Sequence, residues 1–304
     1  MSTTAAALDA DLRRARRRHA LRRNAAAYAF LAPNLVFFAA FLVLPVAWVV
    51  RQSFLSGGVL GPASWVGLDN WTHALGDAEL RRALLHTVAF TAMTVPLVLV
   101  AAMALALLLR GLDRGAGLVR AVVYLPSLAP VVLAGLLWIF VVNPDVGLLN
   151  AGVRLAGGSP VNWLGDERLA LPTIALLEVW RGTGFWALFL LAALLAVPRE
   201  LYGAAALDGA SGWNRFRFVT VPGIGPTLLV AVVLTTLVSM QVFDSVFVLT
   251  NGGPAGATDT AVLYIYRSVF ESGDPGYGAV LSLVLMAFIV ALTLVIVRLL
   301  GRRG

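Results

Sequence analysis

The sequence predicts an all-α integral membrane protein with six transmembrane helices. Three observations point there: the composition, the length of the apolar runs, and the uneven placement of arginine. Of 304 residues, 60% are hydrophobic and 13% charged, against about 45–50% and 25% in soluble domains. Such an excess of apolar side chains requires lipid and not a larger core.

A helix needs about 20 apolar residues to cross a hydrocarbon core of roughly 30 Å. Five charge-free runs meet that length: 28–50, 87–109, 121–142, 219–243 and 277–297. A sixth, 171–197, is as apolar but holds Glu178 and Arg181. Pro45, Pro96, Pro126, Pro130, Pro172 and Pro226 fall inside or at the start of these runs. They would break soluble helices, but in a bundle neighbouring helices re-satisfy the freed carbonyls.

Arginine placement sets the direction, because short loops rich in basic residues stay in the cytoplasm. Seven arginines lie between Arg13 and Arg23. Three more occupy each of the second loop (Arg110, Arg114, Arg120), the fourth loop (Arg199, Arg215, Arg217) and the tail (Arg298, Arg302, Arg303). The opposite side holds the other seven, among them Arg51, Arg154 and Arg267, with most of the acids. Both termini are therefore expected in the cytoplasm. Residues 1–24 read as a basic cytoplasmic segment and 25–304 as the transmembrane domain. The first run exceeds the roughly 7–15 residues of a signal peptide core and ends in no small-residue cleavage site, so it is expected to be retained. The net charge of +7 is a membrane flank and not a nucleic-acid surface.

Several chemistries are excluded. There is no cysteine, hence no disulfide, thiolate metal site or cysteine nucleophile. All 23 basic residues are arginine, and a Walker A loop needs a lysine for the β and γ phosphates. Any ATP hydrolysis must sit on a partner. His19, His73 and His86 are too scattered for a metal cluster or a catalytic triad, and no cofactor is implied. Leu55-Ser56-Gly57-Gly58 is a turn, and Gly223-Ile224-Gly225 is too short for a dinucleotide fingerprint.

The outer loops carry turn signals and interfacial aromatics: Gly57, Gly58, Gly61 and Pro62 before Trp65 and Trp71, Asn143-Pro144 before Trp163, and Asn251-Gly252-Gly253-Pro254. Between 260 and 270, Ala261, Val262, Ile265 and Val269 recur at helical spacing, predicting a short surface helix. Two readings stand for it: a docking element for a partner, or a cap on the bundle.

The segment 198–222 is polar enough to leave the membrane yet patterned. Pro198 suits a first helical turn, and Gly203 to Ala206 make a smooth face where another surface can approach closely. Gly209 permits a sharp turn before Ala210 to Phe218 resumes a helix. Trp213, Phe216 and Phe218 are expected to hold this elbow against the bundle, leaving Arg215 and Arg217 for headgroups or an acidic partner.

This segment resembles the coupling loop of binding-protein-dependent ABC permeases: Glu-Ala-Ala, three residues, Gly, nine residues, then an aliphatic residue two before Leu-Pro. Here Ala204 and Ala205 are followed by three residues and Gly209, then by nine residues and Val219, Val221 and Pro222. Asp208-Gly209-Ala210 is similar to the carbohydrate branch, as are Leu44-Pro45, Gly67-Leu68-Asp69-Asn70, Trp180 with Gly184-Phe185, and Asn251-Gly252-Gly253-Pro254. The resemblance spans nearly all of the chain, with a permease core at about 82–300. It implies the type I importer permease fold and a bacterial inner-membrane protein that hydrolyses no ATP itself. Its implied partners are a second permease, a cytoplasmic ATPase dimer and an extracytoplasmic solute-binding protein. Its implied cargo is a sugar of the maltose or glycerol-phosphate type. The motif glutamate is Gly203 here. Glu200, three residues earlier on nearly the same face, either replaces it or is a helix-start acid favoured by the dipole. His86 stands where the family usually has asparagine, and a structural role is expected.

Polar groups inside a span usually face the bundle interior. Glu178 and Arg181, three apart, are expected to pair about 25 Å above the inner boundary. Gln241 and Asp244 share a face, with Asp244 about 33 Å beyond Pro222 on a continuous helix. Glu178, Trp180, Gln241 and Asp244 are the candidate solute contacts; interfacial snorkelling and helix packing are the competing reading. Hydroxyls at Thr235, Thr236 and Ser239 either line the same path or bond their own backbone. A secondary transporter would need midplane ion relays or internal repeats, and a membrane enzyme clustered catalytic groups; neither is present. Uptake of a polyamine, phosphate or peptide is the alternative within the same superfamily.

Overall fold

The computed structural model describes residue 28 and residues 30–57, 62–113 and 115–301. The basic segment 1–24, Gly58, Gly61, Arg114, Arg302 and Arg303 lie outside the described residues. In chain order come α1 (Phe30–Gln52), β1 (Leu55–Ser56), β2 (Ser64–Trp65), α2 (Asp69–Gly76) and α3 (Ala78–Arg110). Next are α4 (Ala116–Leu128), α5 (Val131–Val141), α6 (Leu148–Leu155), α7 (Ala170–Ala196) and α8 (Arg199–Leu207). The last are α9 (Gly212–Gly223), α10 (Gly225–Met240), α11 (Asp244–Leu249), α12 (Ala261–Tyr266, continued by a π-turn at Arg267–Glu271) and α13 (Pro275–Leu300).

Among the described residues α1, α3, α7 and α13 are long and apolar enough to cross a membrane as single helices. Two bent pairs bring the number to six. The run 121–142 is not straight: α4 and α5 meet at 95°. Ala129, with ψ 131, is extended because it precedes Pro130, and Pro130 in turn caps α5. The run 219–243 is not one helix either. It begins inside α9, turns by 74° at Ile224, and continues as α10, where Pro226 occupies the first turn. The 16 residues of α10 rise only about 24 Å, and the chain breaks again before α11.

The core is built on α3 and α7. Ala102, Ala106 and Ala187 are fully buried where the two meet, so small side chains let the backbones approach closely. Around them lie Leu109, Leu190, Leu194 and Ile224. The 33 residues of α3 rise about 50 Å, enough to leave the hydrocarbon at both ends.

At its first end Asp77 caps α3, accepting from Glu79 N (2.7 Å) and Leu80 N (3.2 Å). The other carboxylate oxygen accepts from Tyr264 Oη (2.7 Å) and from Tyr277 Oη. Burial opposes ionisation of Asp77, but the two tyrosine hydroxyls and the two amides outweigh it and hold the carboxyl below its usual range. Asn70 Nδ2 donates to the carbonyls of Ser53 (3.1 Å) and Leu55 (2.9 Å), fastening the hairpin to this end. The surface helix forms as α12. Its Ala261 N–H donates to Thr87 Oγ1 (2.9 Å) and Tyr264 reaches Asp77, so it caps the bundle. His86 has the structural role expected of it, with Nδ1 3.0 Å from the carbonyl oxygen of Asp259. Arg267 Nη1 donates to Asp259 (2.6 Å) and Nη2 to the Asn251 carbonyl (2.5 Å), closing the loop.

Candidate functional site

A cavity of about 360 Å³ opens between α3, α4, α7, α10 and α11. Glu178 and Arg181 lie on its α7 wall, and Gln241 and Asp244 at the break between α10 and α11. Three of the four candidate solute contacts are therefore brought together. Trp180 is not among the lining residues; it leans on Trp138, with ring centroids 6.0 Å apart. The reason is helical phase. Residues 178, 181, 182 and 185 share a face, and two residues' advance carries Trp180 to the far side.

Arg181 Nη2 donates to Glu178 Oε2 at 2.8 Å, with side chains 23% and 13% exposed, so the two charges neutralise each other within the wall. Gln241 Nε2 donates to the Leu237 carbonyl (3.0 Å), and Thr235 and Thr236 bond back to Ala231 and Val232. Thr94 Oγ1 and Ser245 Oγ line the cavity buried and without hydrogen-bond partners among the described residues. Phe90, Thr94 and Val98 place the cavity against the middle of α3. It is thus deeper than a rise of 33 Å to Asp244 implied, because the helix that was to supply that rise ends at Met240.

Ser127 fixes the α4 wall. Its Oγ donates to the Arg181 carbonyl (2.7 Å) and accepts from Phe185 N (3.1 Å). A hydroxyl from α4 thus bridges two groups four residues apart on α7, the spacing of one helical rung. Gly184 permits this, since a Cβ there would collide with the Val123 carbonyl oxygen.

The elbow at 198–222 is set by two caps. Gly209, at φ +72, donates to the Ala206 carbonyl (3.1 Å) and Ala210 N donates to Ala205 (2.9 Å). This left-handed closure of α8 favours glycine. Ser211 then caps α9, accepting from Asn214 N (3.3 Å), so the second helix starts at Gly212 and not at Ala210. Pro198 is the cap of α8 and not in its first turn. Glu200, Gly203, Ala204, Asp208 and Pro222 are exposed, Ala205 and Ala210 half-buried, and a Cβ at Gly203 would meet nothing.

The expected aromatic anchor is corrected at two of its three rings; Phe216 is half-buried, as expected. Trp213 and Phe218 are 65% and 67% exposed, as suits aromatic rings at a membrane interface. The elbow is held instead by Arg110, Tyr202 and Thr220. Arg110 Nη1 donates to Tyr202 Oη (3.0 Å), its guanidinium carbon lies 4.6 Å from the ring centre, and Tyr202 Oη stands 3.1 Å from Thr220 Oγ1. Sequence reasoning missed this triad. The available signal was an arginine ending a span and a tyrosine inside the loop. Tyr202→Phe keeps the ring but removes the hydroxyl that joins Arg110 to Thr220, leaving Thr220 Oγ1 only its donation to the Arg215 carbonyl (3.4 Å), and is expected to cost about 1 kcal/mol. Thermal unfolding of the purified protein measures this; an unchanged Tm would mean that the triad does not hold the elbow.

Residues 75–303 match the family described as binding-protein-dependent transport system inner membrane component. The chain is 35% identical to the trehalose/maltose transport system permease protein MalF of Thermococcus litoralis, over 88% of this chain and 91% of that one. It is 32% identical to the sulfoquinovosyl glycerol transport system permease protein SmoG of Agrobacterium fabrum, over 88% of each. Its fold is similar to that of a chain in a bacterial ABC transporter involved in the import of alginate, with a TM-score of 0.80 at 22% identity, covering 94% of this chain and 99% of that one. With six apolar spans, a cavity among them and a helical elbow at one end, the chain belongs to the family of binding-protein-dependent transport system inner membrane components.

Proposed function

We propose that this chain is one of two permease subunits of a bacterial ABC importer for a neutral carbohydrate, with the cavity at the middle of α3, apolar-walled with a few polar groups, as its share of the solute path. The observation that carries the reading is the convergence there of Gln241, Asp244, Thr94 and Ser245 around aromatic walls, including Phe90 and Trp186. Hydroxyl-rich solutes need such acceptors and donors, and apolar ring faces besides. Because Arg181 is matched by Glu178, Asp244 leaves the lining net negative, which disfavours an anionic cargo. The names of the relatives, for trehalose and maltose, lactose, sulfoquinovosyl glycerol and sn-glycerol-3-phosphate, support a sugar or a related polyol derivative, and the choice of a neutral one rests on the lining charge alone.

In this reading the arginine-rich end of the bundle is cytoplasmic and both termini lie there. The exposed face of α8, with Glu200, Gly203 and Ala204, meets an ATPase subunit; Asp208, Gly209, Ala210 and Pro222 shape the elbow behind it. The end bearing Asp77 and α12 faces the solute-binding protein. Glu200 takes the place of the motif glutamate. Glu200→Ala is expected to lower solute-stimulated ATPase activity about tenfold, the weight of one charge-assisted hydrogen bond. Unchanged stimulation would return Glu200 to the role of a helix-start acid.

The test is ATPase activity of the chain with its partner permease and ATPase in lipid nanodiscs, with and without a sugar-loaded binding protein. Stimulation by a neutral sugar is expected, and Asp244→Ala together with Gln241→Ala should lower uptake about tenfold or more. Stimulation only by an anionic or cationic solute would overturn the cargo assignment.

A further inference from the structure

An apolar groove of about 920 Å³ lies between α3, α9 and α10, apart from the solute cavity. Its floor is a stripe along α3, Pro96, Val100, Met103 and Leu107, which ends in Arg110. From Pro96 to Arg110 the helix rises about 21 Å. One leaflet of a bilayer supplies about 15 Å of hydrocarbon and then the headgroup. At that charged end the groove is roofed by α9, which contributes Trp213 and Arg215. Arg215 Nε is buried there without a hydrogen-bond partner among the described residues. Among the described residues no carboxylate lines the groove.

We propose that this groove is a binding site for one anionic phospholipid, its acyl chain along the α3 stripe and its phosphate on Arg215. Charge complementarity selects the ligand, since a buried guanidinium nitrogen without an acceptor calls for an oxyanion at that point. Depth selects it as well: the groove has the length of a single leaflet, where lipid is always at hand. A partner's helix lying there would bring no phosphate to the guanidinium. The orientation proposed above decides only that the cytoplasmic leaflet supplies the lipid; binding itself does not depend on it or on the cargo. A lipid so placed touches α3 and α9 together and braces the elbow.

The experiment is native mass spectrometry of the full transporter in detergent, titrated with phosphatidylglycerol or phosphatidylethanolamine. Wild type is expected to retain phosphatidylglycerol in preference. Arg215→Gln should weaken retention about fivefold, as one basic residue at a lipid surface does. Ala104→Trp fills the groove from an exposed α3 position without touching charge and should weaken it likewise. Arg217→Gln, beside Phe218 and outside the groove, should leave it unchanged. Equal retention by wild type, Arg215→Gln and Ala104→Trp would overturn the site. Equal retention of the two lipids would overturn its anionic selectivity. Cross-linking from Ala104→Cys, unique in a chain without cysteine, to a partner subunit would show the groove to be filled by protein.

Discussion

Gly184→Ala should destabilise the protein by about 3 kcal/mol, at the upper end for over-packing, because the obstacle is backbone. The added Cβ meets the Val123 carbonyl oxygen, and the neighbouring Tyr124 Cα stands 3.2 Å away. Neither can rotate aside as a side chain would. Relief requires α4 to withdraw from α7, and withdrawal pulls Ser127 out of its bridge between Arg181 and Phe185. The proposed solute cavity loses one wall in the same movement. Thermal unfolding in nanodiscs, read beside uptake, should show a drop of several degrees and a near-complete loss of transport. A variant with wild-type Tm and uptake would show that α4 does not approach α7 as described.

Asp77→Ala should cost a similar amount, about 3 kcal/mol, by a different route. It deletes a helix cap, worth about 0.5–2 kcal/mol, and strands the hydroxyls of Tyr264 and Tyr277, which both donate to this carboxylate. Asp77→Asn retains an acceptor and should lose less. The pH dependence has a definite sign. Because the folded-state pKa lies below the usual value, the stabilisation is fully present above the unfolded-state pKa of about 3.9. It is lost as pH falls through the lower folded value. The gap in Tm between wild type and Asp77→Ala should therefore be constant from pH 8 to 5 and close only in acid. A gap that closes near pH 6 would assign the effect to another group.

Spans were legible wherever one physical rule acted alone. The lengths of α7 and α13 follow from apolar runs, whereas α3 begins at Ala78, nine residues before its run, where the Asp77 cap starts it; the Glu178–Arg181 pair follows from i, i+3 spacing. Misreadings arose where two rules competed. The Ala129-Pro130 step signals an extended residue, while the apolar run around it is long enough to span and a bundle tolerates proline within a helix; at Pro130 the local restriction wins. The end of α10 at Met240 has no breaker residue at all; Gln241 to Phe243 leave the helix because α11 packs on α5 and α7, a tertiary cause. Trp180 is a candidate because an aromatic face suits a sugar, but two residues' advance along the helix turns it away from Glu178 and the cavity. Contacts between distant residues were beyond reach: Ser127 with α7, and Arg110 with Tyr202 92 positions later. Nothing local marks a hydroxyl or a guanidinium for a partner on another helix.

The 33 residues of α3 have one more consequence. This single helix is tied to tyrosines at one end, walls the proposed solute cavity at its middle through Phe90 and Thr94, and is tied to the elbow at the other end through Arg110. Pro96 lies just past Thr94 and withholds one rung of the helix's hydrogen-bond ladder, so the two anchored ends are joined through one interrupted rod whose weakest rung sits beside the cavity.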